Sequence, residues 1–125
     1  MNHSPNVDHE AILRARATLL GSGTVGLHEE IRAYRVLAHV GPLTYLPKLS
    51  RALLEFGEKE FTHQPEIRLN LTAEALDAAR ALDASDPQRS ELLSNALDAY
   101  RRQLEVLGRP VDSLAIGEEG ERPQP

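Results

Sequence analysis

The sequence predicts an all-α protein built from antiparallel helix hairpins, with about five main helices in one domain. Three observations carry this expectation. Leucine and alanine dominate while aromatic residues make up only 4% of the chain, a balance suited to helices packed through small and γ-branched side chains. Five stretches repeat apolar residues at intervals of three and four, the period of one helix face. Between them stand glycine or proline clusters that stop one helix and start the next.

The first element is "VDHEAILRARATLL", where Val7, Ala11, Ala15 and Leu19 form a stripe with Ile12 beside it. Asp8 is placed to cap it, and Glu10 complements the positive helix start. Residues 1–7 read as a flexible lead-in, and "GSGTVG" at 21–26 ends the helix. The second helix, "LHEEIRAYRVLAHV", aligns Leu27, Ile31, Tyr34 and Leu37, with Ala38 completing the patch. Gly41 and Pro42 close it.

Pro42 and Pro47 then mark a corner. With Thr44 as cap, Tyr45, Leu46 and Pro47 form the first turn of the third helix, where a missing N–H costs little. That helix is expected over 45–62, with Leu46, Leu49, Leu53 and Phe56 on its inner face. The fourth, over 65–84, carries Ile67, Leu71, Ala75, Ala78 and Leu82 on one face and Leu69, Ala73 and Leu76 on another. A helix apolar on two sides belongs between two neighbours. Asp86 caps the fifth helix and Pro87 takes its first position. Over 87–107 it presents Leu93, Leu97, Tyr100, Leu104 and Leu107, and Gly108 and Pro110 end it. "VDSLAI" at 111–116 reads as one or two more turns, giving a helical domain over 8–116, and 117–125 as a disordered tail.

The elements also recur. Tyr34-Arg35-x-Leu37 and Ala79-Arg80-x-Leu82 each precede a proline corner, and Leu20-Gly21 matches Leu107-Gly108 two units later. The unit is about 44 residues, a helix pair per repeat. "AYRVLAHVGPLTYLP" and "LEVLGRPVDSLAI" resemble segments of bacterial tetratricopeptide-repeat proteins with a longer repeat than usual. Leu20-Gly21, Leu107-Gly108, Glu29-Glu30-Ile31 and Pro42 and Pro87 fit that pattern over residues 12–116, whereas "THQPEI" and "GSGTVG" depart from it. The resemblance implies a short right-handed solenoid of stacked hairpins and a groove that receives another protein or a peptide.

Composition narrows the function classes. The net charge is -5, with 14 basic and 19 acidic residues mixed along the chain. That lacks the basic face a nucleic-acid binder needs. Cysteine is absent, which removes disulfides and thiolate chemistry. No apolar run nears the roughly 20 residues that span a bilayer, and "MNHSPNVDHE" is no secretory signal. A cytoplasmic, non-membrane protein is the expectation.

Catalytic or metal-ligating patterns are not legible. His28 and His39 stand about 16 Å apart on a helix, too far to share a metal, and "HEEIR" lacks the second histidine of a zinc helix. Glu29 and Glu30 point about 100° apart and suit the helix start. No metal and no cofactor is expected.

The polar faces are more informative. Lys48, Arg51, Glu55, Glu58 and Lys59 lie opposite the apolar stripe of the third helix, and Glu91, Asn95, Asp98, Arg102 and Glu105 do so on the fifth. From the tetratricopeptide resemblance, Arg51, Glu55, Asn95, Asp98 and Arg102 are the candidate groove residues. The plainer reading makes Glu55–Lys59 and Asp98–Arg102 stabilising i,i+4 ion pairs. The function expected is a protein- or peptide-binding adaptor or regulatory partner without catalysis. The alternative is a small helical enzyme or ligand carrier with a pocket lined by Tyr34, Tyr45 and Phe56. A second copy pairing through the terminal half-repeats is the other partner considered.

Overall fold

The computed structural model describes residues 8–20 and 26–110, and every regular element among them is a helix. The elements are α1 (His9–Leu20), α2 (Leu27–Leu37), α3 (Pro42–Glu60), α4 (Pro65–Arg80) and α5 (Arg89–Leu107). The expected lead-in at 1–7, most of the "GSGTVG" linker, the "VDSLAI" turns and the 117–125 tail lie outside the described residues.

Each helix packs against the next, and α3 also touches α5. The α4 helix therefore sits between α3 and α5, as its two apolar faces require. Register follows from individual contacts. Ser50 Oγ on α3 donates to the Ala75 carbonyl of α4 at 2.9 Å, and Gly57 faces Arg68 and Leu71, so α3 and α4 run antiparallel. Arg89, at the start of α5, donates to the Leu82 and Arg80 carbonyls just after and within the last turn of α4. At the other end Arg109 pairs with Glu66, so α4 and α5 are antiparallel too.

The main core joins Ile31, Leu49, Leu53, Leu69, Leu76 and Leu104 with the alanines of α3, α4 and α5. A smaller cluster of Ile12, Ala15, Ala33 and Leu37 holds α1 to α2. Its outer side is left open: Leu13 and Leu20 are 65% and 84% exposed.

Both prolines act differently from the sequence expectation. Gly41, not Thr44, precedes α3, and its carbonyl accepts from the Thr44 and Tyr45 amides. Pro42 thus opens α3 at the first helical position, where its fixed φ suits a helix start. Pro47 lies inside the helix and is buried. It has no N–H for the Leu43 carbonyl.

Other boundaries shift by a few residues. The α2 helix ends at Leu37 rather than Val40, α3 at Glu60 rather than 62, and α4 at Arg80 rather than 84. Asp86 does accept from the Gln88 amide at 2.8 Å, but the first bond after it runs from Arg89 N–H to the Asp86 carbonyl. This tighter i,i+3 turn delays the regular helix to Arg89. Asp8 accepts from the Glu10 amide at the start of α1. At the end of α5, Gly108 has φ 70° and the Arg109 amide returns to the Leu104 carbonyl. That left-handed glycine turn is the C-terminal stop the sequence predicts.

The inner face of α5 is also rotated from expectation. Leu92, Ala96, Ala99, Gln103 and Leu104 are buried, while Leu93, Leu97, Tyr100 and Leu107 flank the core half-buried. The buried Ala96 and Ala99 are small side chains that permit a close approach of helices.

Candidate functional site

The three helices α3, α4 and α5 enclose a concavity of about 290 Å³. Leu54, Gly57 and Glu58 line it from α3, and Arg68 and Thr72 from α4. Asn95, Asp98, Ala99 and Arg102 complete it from α5. The volume is near the lower end for small-ligand sites, and its surface is polar and apolar in about equal measure.

Gly57 helps make the space. It is buried within α3, and a Cβ there would sit 3.6 Å from Leu71 Cδ1 and 3.7 Å from Arg68 Cγ. These are ordinary contact distances, so alanine fits. Gly57→Ala is expected to stabilise the protein by roughly 0.5–1 kcal/mol, because glycine costs that much in a helix interior. A urea midpoint that falls instead of rising would show that α4 has to yield.

Outside the concavity some charged side chains are paired, while others, such as Arg32, Lys48, Glu91 and Glu105, make no pair among the described residues. Arg35 on α2 makes a bidentate bridge to Glu74 on α4, with both N···O distances 2.7 Å. Hydrogen bonding to Glu74 raises the Arg35 pKa further, against a smaller opposing effect of burial. Lys59 pairs with Glu55 at 2.7 Å, and Arg51 donates to the Gln88 side-chain oxygen at 2.9 Å.

Inside the concavity no such pair forms. Among the described residues, the side chains of Glu58, Arg68, Asn95, Asp98 and Arg102 make no hydrogen bond or ion pair. Asp98 and Arg102 have i,i+4 spacing, yet the expected ion pair between them is not formed. The Thr72 hydroxyl is already used, donating to the Leu69 carbonyl. Two cations, two anions and one amide thus face a shared hollow unpaired.

Of the five residues anticipated for a groove, Asn95, Asp98 and Arg102 come together here, while Arg51 and Glu55 lie outside the lining. The aromatic residues anticipated for a closed pocket are elsewhere. Tyr34 and Tyr45 pair with ring centroids 6.1 Å apart, and Phe56 lies between His28 and Phe61. Burial, then the Glu30 charge, pushes the Tyr34 phenol above its usual value. No group of three or more histidine, aspartate or glutamate residues suited to a metal exists among the described residues. No described helix is long and apolar enough to cross a membrane.

No protein-family model, curated protein or solved structure matches this chain. The tetratricopeptide resemblance therefore rests on the residues that suggested it.

Sequence reasoning missed Arg68, Thr72 and Gly57. Two signals were available. Arg68 and Thr72 are i,i+4 polar residues on one face of α4, and a glycine in mid-helix often has a packing reason. Gln103 was missed as well: it is buried, and its amide has no hydrogen-bond partner among the described residues.

Proposed function

We propose that this chain is a peptide- or protein-binding helical repeat module, an adaptor or regulatory partner that performs no chemistry itself. The observation supporting this most is the unpaired charge in the concavity between α3 and α5. Exposed i,i+4 partners such as Asp98 and Arg102 gain a few tenths of a kcal/mol by pairing on a helix. Side chains that stand apart in a hollow are available to a ligand. Sequential packing of α1 through α5, with α3 against α5, suits the finer reading of stacked hairpins in a short right-handed tetratricopeptide-like solenoid. A bacterial, cytoplasmic setting belongs to the same proposal, through that resemblance and the lack of cysteine.

Selection from a random peptide library tests it. The intact chain is expected to enrich a common set of sequences. The triple variant Asn95→Ala/Asp98→Ala/Arg102→Ala, which alters only exposed positions, is expected to lose them while keeping its helical circular dichroism. Equal enrichment by both proteins would move binding off this concavity.

A further inference from the structure

The order of charges along the concavity carries a more specific reading, which rests on the peptide-binding proposal. Because Glu66 pairs with Arg109, the start of α4 lies beside the end of α5. Arg68 is therefore at the Arg102 end of the hollow, with Gly57 against it and Glu58 next in sequence. Asp98 comes one helical turn further along α5, and Asn95 closes the far end. Four residues of helix rise about 6 Å, so the Arg102 and Asp98 positions are about that far apart along the axis.

An extended peptide rises about 3.3 Å per residue and points residues i and i+2 to the same side. Its same-side side chains are thus about 6–7 Å apart, close to the axial interval between Arg102 and Asp98 on α5. We propose that the concavity reads an extended segment carrying one acidic and one basic side chain two residues apart. The carboxylate meets Arg102 with Arg68, two cations at an end that holds the single carboxylate of Glu58, the basic group meets Asp98, and the Asn95 amide takes a peptide N–H or carbonyl. Asparagine suits that place because it both donates and accepts. The mixed sign of the lining also disfavours uniformly acidic or basic partners, which leave one charge of the pair opposed.

Synthetic pentapeptides provide the probe, titrated into the intact isotope-labelled chain and followed by amide NMR shifts. Blocked GEAKG and GKAEG carry opposite charges at i,i+2. GEKAG carries them adjacent, and GEAEG and GKAKG carry like charges. The i,i+2 mixed peptides are expected to bind about tenfold more tightly than the others, the worth of two partly exposed ion pairs. In Asp98→Lys the preference is expected to move to GEAEG. Mixed peptides binding no better than like-charged or adjacent ones would overturn the charge-spacing reading. If all five bind equally and the triple alanine variant abolishes binding, the peptide site stands and only its charge pattern fails. No shift with any peptide, and none with library-selected sequences, would remove both. Concentration-dependent self-association abolished by Asp98→Lys would make a second copy the occupant and overturn the peptide reading.

Discussion

Leu53→Ala is expected to destabilise the protein by about 2–5 kcal/mol, the range for truncating a buried leucine in a core that only partly collapses. Leu53 has no exposed surface and lies in the main core with Ile31, Leu69 and Leu76. It is central to α3, the helix that packs against α2, α4 and α5. A loss of that size is a large share of the roughly 5–15 kcal/mol that ordinarily separates folded from unfolded states. Urea denaturation checks it: the midpoint should fall while the slope stays the same. A change below about 1 kcal/mol would mean that the α3 contacts are looser than their burial suggests.

Ile12→Asp is expected to release α1 while α3, α4 and α5 stay folded. The α1 helix packs chiefly on α2, and only Ile12 and Ala15 among its residues are buried. A helix of 12 residues is marginal in water without tertiary support. An aspartate in place of Ile12 removes the largest apolar contact and resists burial as an anion. Hydrogen exchange should then lose protection over His9–Leu20 and keep it over α3–α5. Loss everywhere at once would show that the small cluster of α1 and α2 is one cooperative unit with the main core.

Helices and their order were legible in the sequence because local patterns determine them. Apolar spacing marks a helix face, glycine at 108 marks a left-handed stop, and Asp8 and Asp86 advertise side-chain acceptors. Boundaries at prolines were less legible, since the same residue fits a helix start or a tolerated interior position. Pro47 is the example. Its place inside α3 depends on whether the surrounding core repays a missing hydrogen bond, and no local rule contains that sum. The face of α5 was misjudged by a similar margin. Four leucines and Tyr100 suggested the stripe at 93, 97, 100, 104 and 107, but only Leu104 of these is buried, with Leu92, Ala96, Ala99 and Gln103, while the other four flank the core.

The candidate site divides in the same way. Asn95, Asp98 and Arg102 share one helix, so their common face follows from 3.6 residues per turn. Arg68 and Glu58 come from helices tens of residues away in sequence, and only the antiparallel registers of α3 with α4 and α4 with α5 bring them to that face. Nor does spacing decide whether an Asp98–Arg102 pair closes: Glu55 and Lys59 have the same spacing and do pair.

By itself, then, the sequence determined an all-helical chain, the number and order of its described helices, and one charged face of α5. Tertiary structure alone decided which charges meet, which stay unpaired and where a hollow remains. The reason is physical: helix formation depends on neighbours three and four residues apart, whereas a concavity depends on how closely three separate helices can approach.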